Sequence, residues 1–227
     1  MYKSLTSNQK QILEKEFSFY KSLSKKHQKQ FRHRVASFID DKEFVGRSGE
    51  IVTLEMQTLI AAVGCMLSFG RKEYLYDMIE TIIIYPDEFY SSNNDAYHKG
   101  EFNPRLKVLV LSWKHFKDGY EVDNDNYNLG LHEFMHAMHL ETRISKHIDG
   151  MRFKRHFHHI MARIADKDVR QKLDDKQFFR AYAFTNQFEF MAVITEYFFE
   201  SPKDFKQHYP ILYDHVNKAL NMQIAGF

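Results

Sequence analysis

One cysteine, Cys65, is all the chain contains, so no intramolecular disulfide can staple the fold and no cysteine cage can hold a metal. Stability must come from packing, and the usage suits a reducing compartment, so a cytoplasmic location is expected. Cys65 falls in the apolar run Leu59 to Phe69, where a small buried thiol is expected rather than a reactive nucleophile. No longer apolar run exists, and this one is far short of the roughly 20 residues that cross a bilayer. Met1 to Gln30 is polar and charged, without the apolar centre of a signal peptide. No membrane partner is expected. An excess of one charge is missing as well. Lys+Arg 32 against Asp+Glu 30 leave a formal charge of +2, which gives no global attraction for nucleic acid. With 4 Pro and 9 Gly there is no linker of Pro or Gly/Ser type, no repeat and no low-complexity segment, so the 227 residues read as a single domain.

Large rings and histidine are abundant instead: 21 Phe, 13 Tyr and 13 His. The rings predict an aromatic core, and the histidines raise the question of a metal. Between Asn8 and Ile39 apolar residues recur at three- and four-residue steps, predicting two amphipathic helices joined near Ser24. A loop around Gly46 and Gly49 precedes a buried helix, Thr53 to Phe69, ending at Gly70. Ile79 to Tyr85, β-branched and stopped by Pro86, reads as a strand, and so does Arg105 to Trp113. Polar composition predicts surface loops over Glu88 to Pro104 and over Lys117 to Asn128. Helices are then predicted at about Leu129 to Glu141, Met151 to Ala165, Asn186 to Glu200 and Asp204 to Met222. Helices outnumber strands, and the strands cluster in the middle, so the fold class is α+β.

The helix after the second loop contains His132-Glu133-Phe134-Met135-His136, a His-Glu-x-x-His pattern. Histidines four apart differ by about 40° around a helix and about 6 Å along it, so both imidazoles reach one ion. Glu133 is offset by about 100° from His132, placed to accept a proton from a zinc-activated water without binding the metal. That is peptide-bond hydrolysis chemistry. The pentapeptide alone is moderately informative, and the uncharged residues around it, Leu129 to Leu131 and Phe134 to Met138, strengthen it.

A catalytic zinc needs a third protein ligand and an open position. The metzincin extension would need Gly and His where His139 and Thr142 stand, which excludes that class. A glutamate from a later helix remains. Glu189, among Phe188, Phe190 and Met191, must be paired, protonated or metal-bound, and Glu196 lies two turns on along nearly the same face. Spacing leaves both open.

Leu131 to Met138 together with Glu189 to Phe199 resembles the Mlc titration factor A family of zinc-dependent peptidases. Further matches are Phe44-Val45-Gly46, Ile60-Ala61-Ala62, Ile84-Tyr85-Pro86 with Phe89, Leu111-Ser112-Trp113, and Pro202 with Tyr209-Pro210. The resemblance runs from about residue 40 to 217. It implies a bacterial gluzincin-like metallopeptidase of aminopeptidase-like type: a mainly helical zincin-like domain with a small mixed sheet beside the metal-binding helix. Residues 1–40 would then be a helical scaffold and 41–227 the catalytic core. The resemblance implies one Zn2+ held by His132, His136 and Glu189, Glu133 as general base, and Tyr182, seven residues before Glu189, as oxyanion donor. It also implies a peptide or protein substrate, and a transcriptional regulator as the partner in an alternative, sequestering role.

His139 departs from the family pattern and is expected to contact the ligand sphere's surroundings or solvent. Glu196 or Asn186 would orient a histidine, with the choice undecided. Leu109 to Ser112 would pair with substrate backbone or form an ordinary strand, and Glu101 and Asn103 are candidates for a substrate amino terminus, though loop solvation is the plainer reading. The basic, histidine-rich segment Arg152 to His159 is expected to be the solvated side of an amphipathic helix.

Overall fold

The computed structural model describes residues 3–91, 95–121 and 125–225, so the centres of the two polar stretches, 92–94 and 122–124, lie outside the described residues. Three helices open the chain where the periodicity predicts two: α1 (Ser7–Glu16), the short α2 (Ser18–Ser22) and α3 (Lys25–Asp41). Extended backbone at Phe17 makes the extra break, and Ser24 caps α3 at the predicted junction by accepting from His27 N. Rings hold this corner together, with Phe31 against Phe17, Phe19, Tyr20 and Phe69 at centroid separations of 5.6–6.0 Å. Such aromatic pairs add about 0.5–1.5 kcal/mol each beyond the area they bury.

Thr53 caps α4 (Leu54–Leu67), whose nearly continuous apolar sequence is buried on almost every side. Cys65 sits there fully buried, with burial pushing its thiol up to about 12, an inert packing residue as expected. Beside α4 runs a four-stranded mixed sheet of β1 (Glu43–Gly46), β2 (Thr81–Tyr85), β6 (Val108–Ser112) and β5 (Gly100–Asn103), in that order. The first three are parallel, and β5 runs antiparallel to β6. Ile82, Ile84, Leu109 and Leu111 alternate onto the core face and are fully buried. Gly46 ends β1 rather than lying in a loop.

The sheet order decides between the two expectations for Leu109 to Ser112 in favour of an ordinary strand. β6 is paired on both sides, so its backbone has no free edge, and the edge strand next to the site is β5. The segment Glu88 to Pro104 is correspondingly not a featureless loop, since it contains β3 (Phe89–Ser91), β4 (Ala96–His98) and β5. β3 and β4 form a hairpin whose outer face carries Tyr90 against Tyr97. Solvated strands at an edge need few apolar residues, and composition therefore disguised them. Lys117 to Asn128 likewise begins inside α5 (Trp113–Glu121), which presents Trp113, Phe116 and Tyr120 to the core.

Helix α6 (Leu129–Ile144) starts at Asn128, whose side chain accepts from Leu131 N at 2.9 Å. It packs between α4, the sheet and α9 (Gln187–Glu200). Its close seat depends on Gly130, where a Cβ would stand 2.6 Å from the Phe116 ring. Phe134, fully buried among Phe38 and Tyr76, anchors the other side of the helix. Next come α7 (Ile148–Ala165) and α8 (Lys167–Lys176). After α9, the predicted helix Asp204 to Met222 is two, α10 (Pro202–His208) and α11 (Pro210–Leu220). Pro210 cannot donate a backbone bond and starts a new helix at its first position. No helix among the described residues is long and apolar enough to cross a membrane.

Candidate active site

His132 and His136 face the same way from α6, their rings 4.7 Å apart and nearly perpendicular. Glu189 arrives from the first turn of α9, which Asn186 caps by accepting from Phe188 N and Glu189 N at 2.8 and 3.1 Å. Its Oε2 lies 2.9 Å from His132 Nε2 and 3.5 Å from His136 Nε2. One donor atom from each of the three lies within 4.8 Å of the others, and among the described residues no other group of three or more His, Cys, Asp or Glu converges so closely. Two imidazole nitrogens and a carboxylate oxygen, partly shielded but open on one side, form a donor set that fits a catalytic metal with one free position.

The ionisation of these groups follows from their crowding. Burial alone would push His132 down, but its bonds to Glu189 and Glu196 outweigh that and raise it to about 10. Glu189, against the pull of burial, is held well below the usual carboxylate range by the two histidines. Glu133 is buried beside them and shifted upward, chiefly by burial and further by the charges of Glu189 and Glu101, against the opposing histidines. Tyr182, in the 3-10 turn Ala181–Phe184, is half exposed, and its ring lies 5.9 Å from that of His132. Burial and then the charge of Glu189 push its hydroxyl up to about 12, so it remains a proton donor at neutral pH.

Behind the three converging donor atoms stands Glu196, with 1% of its side chain exposed. Its Oε1 accepts from His132 Nδ1 at 2.8 Å and from Arg180 Nη2 at 2.7 Å. Its Oε2 accepts from Arg180 Nη1 at 3.0 Å and from Asn128 N at 2.9 Å. Tying Nδ1 of His132 to a carboxylate turns Nε2 toward Glu189, so Glu196 is the residue that orients a histidine and Asn186 is the cap. Arg180 was not singled out in the sequence. It also donates to the Asn126 carbonyl and lies over the Tyr127 ring at 4.5 Å. Its one local signal is its place two residues before Tyr182, on the far side of a turn whose path periodicity cannot trace.

Above Glu133 passes the edge strand β5. A Cβ on Gly100 would come within 2.8 Å of Glu133 Cγ and Oε1 and 2.7 Å of Leu129 Cδ1, so glycine is what lets strand and helix approach. Glu88, Tyr97, His115, Tyr127, Arg180 and Tyr182 are among the walls of a cleft of about 850 Å³ over this point. Asn103 is spent elsewhere, its Oδ1 accepting from Arg105 N and Leu106 N in the following turn, which removes it as a candidate for a substrate amino terminus. His139 is also corrected. It is 4% exposed, packed against Phe153, Phe157 and Phe188, and pushed down to about 4 by burial and by His136 and Arg143. It is a neutral core ring without solvent contact.

The chain is 26% identical over 229 residues to an uncharacterized protein of Synechocystis sp., an alignment covering 91% of this chain and 81% of the relative. It is 26% identical over 202 residues to Mlc titration factor A of Yersinia pestis and of Yersinia pseudotuberculosis, covering 80% of this chain and 72% of each relative. The model of a family described as glucose-regulated metallo-peptidase M90 matches residues 2–220, a range that includes His132, His136 and Glu189. The chain belongs to that metallopeptidase family.

Proposed function

We propose that this chain is a zinc-dependent peptidase whose single ion is held by His132, His136 and Glu189. The observation that carries the reading is the convergence of those three donors, with Glu133 buried alongside and the Tyr182 ring across from them. When bound, zinc supplies a Lewis acid that brings the pKa of a water at its open position near 7. Glu133, its carboxyl pushed upward chiefly by burial, would accept a proton from the attacking water and pass it to the leaving amine. Tyr182 donates its hydroxyl to the substrate carbonyl oxygen as charge develops there.

The substrate is a peptide or protein. β5 is the sheet's outer strand, and a peptide laid along it as an added strand passes Gly100 and places a bond over Glu133. Aminopeptidase-like action, which the family resemblance suggests, is supported by Glu88 in the cleft wall and by Glu101 on β5, carboxylates suited to a protonated amino terminus. A cytoplasmic setting agrees with the lone buried thiol.

The test is turnover of aminoacyl-amide and peptide substrates. The wild type should cleave, lose activity to a chelator and regain it with zinc, while Glu133→Gln falls at least a hundredfold. Equal rates in wild type and Glu133→Gln would remove the assigned base. A second reading rests on the name of the matched relatives, titration factor: a protein that withdraws a partner, here a transcriptional regulator, from solution. Partner capture unaffected by Glu133→Gln, with no turnover of a peptide library, would decide for it.

A further inference from the structure

Helices α7 and α11 pack closely against each other, and three histidines meet on the outer side of that seam. His156 and His159 stand one turn apart on α7, and His215 faces them from α11. His156 Nδ1 and His215 Nδ1 are 3.1 Å apart. The His159 ring stacks on that of His215 with centroids 5.1 Å apart and planes within 11°, and it lies 6.0 Å from the His156 ring. None of the three lines the cleft of the candidate active site. Beneath them Ile160 and Val216 are fully buried, so the helices offer a firm floor.

We propose that His156 and His215 chelate a second metal ion, a late first-row dication such as Zn2+, Ni2+ or Cu2+, with the exposed His159 ring turning in as third ligand. Bonds of about 2.0–2.1 Å from one ion to two imidazoles, at angles between square and tetrahedral, set the nitrogens about 2.9–3.4 Å apart. The observed separation falls inside that interval before any ion enters. Imidazole donors without a carboxylate select these metals over calcium or magnesium. Burial and the neighbouring positive groups push His156 down to about 4 and lower His215 too, which favours the unprotonated rings that a metal requires. The proton between the facing Nδ1 atoms moves to Nε2 when the ion takes both lone pairs, so no proton is lost. Arg155 and Lys218 repel an incoming dication, although Lys218 is engaged by Asp214 at 2.6 Å. The site therefore binds more weakly than the active site. Its ion joins segments 59 positions apart in the chain.

The test counts metal in tag-free full-length protein, stripped and then dialysed against micromolar zinc. Two equivalents are expected in the wild type and one in each of His132→Ala, His156→Ala and His215→Ala. In the His132→Ala background, Cu2+ should show imidazole nitrogen couplings in its electron paramagnetic resonance spectrum, lost when His156→Ala is added. His159→Ala should weaken this binding at least tenfold, and unchanged affinity would overturn its place as third ligand. A wild-type count that does not fall in His156→Ala or His215→Ala, or binding seen only at millimolar zinc, overturns the site. The peptidase reading fails separately: His132→Ala would then hold as much metal as the wild type, while His215→Ala would still lose one equivalent.

Discussion

Replacing Glu196 with glutamine is the sharpest perturbation of the site, because it changes one terminal atom of a side chain only 1% exposed at the back of the cleft. The Glu196 carboxylate accepts from three sources: His132 Nδ1, both terminal nitrogens of Arg180, and the backbone N of Asn128. A glutamine has only one acceptor oxygen, so its amide nitrogen must face one of those donors. The Arg180 guanidinium then loses its carboxylate partner in a largely buried pocket, and an imidazolium at His132 keeps only Glu189. Breaking one side of a buried charge pair costs about 3–5 kcal/mol. In a chain of this length that corresponds to a fall in Tm of about 6–20 °C. His132 also loses the bond that aims Nε2 at Glu189, so metal affinity should fall about 10–100-fold. Calorimetry measures the first effect, and competition against a chromogenic chelator at a temperature where the variant is folded measures the second. A Glu196→Gln protein that melts within 2 °C of wild type and holds metal within twofold would refute the orienting role.

Three other outcomes test neighbouring parts of the structure. Tyr182→Phe should leave Tm unchanged, since the hydroxyl lies on a half-exposed ring, while kcat falls about 10²–10³-fold with little effect on KM; an unchanged kcat with a raised KM would remove it as the oxyanion donor. Glu200 is pushed up to about 8 by burial and then by Glu196 and Asp125. Its folded form thus holds a proton more tightly than the unfolded chain, and the wild type loses stability as pH rises from about 4.5 to 8. Glu200→Gln should therefore gain on the order of 2–4 kcal/mol over wild type at pH 9 and almost nothing at pH 4, as read by urea unfolding; an equal difference at both pH values would contradict this. Gly100→Ala must displace Glu133 or lift β5, and a kcat about tenfold lower in a folded protein is expected; full activity would show that the close approach at Gly100 is not needed.

The histidine pair of the candidate site is legible because its geometry is written locally: four residues of spacing on one helix set His132 and His136 side by side. Glu189 was visible only as one of two carboxylates on a buried helix face, and the family resemblance separated it from Glu196. The structure gives both a task, one facing the histidine Nε2 atoms and the other holding Nδ1. Arg180 carries no such mark, since its partner lies 16 positions away and the intervening turn is irregular. The buried helices α4, α6 and α9 were readable from periodicity. The failures share a cause. β3, β4 and β5 are short, solvated or close to glycine, and their pairing is a tertiary fact that polar composition hides. The single helix expected over Asp204 to Met222 failed through neglect of Pro210.

His132 and Glu189 stand 57 positions apart, separated by the whole of α7 and α8, and Arg180, Tyr182, Glu189 and Glu196 all come from the far side of that gap. The molecule brings two donors on one piece of chain to a third on another, like the halves of a clasp. An ion fastened there favours only conformations in which the late segment is docked, and its release leaves α6 and α9 joined by packing and polar contacts alone. A nick between Ala165 and Lys167 would then be tolerated by the metal-loaded form and expose the stripped one to further digestion, making ion content a gauge of how firmly the carboxyl-terminal third is seated.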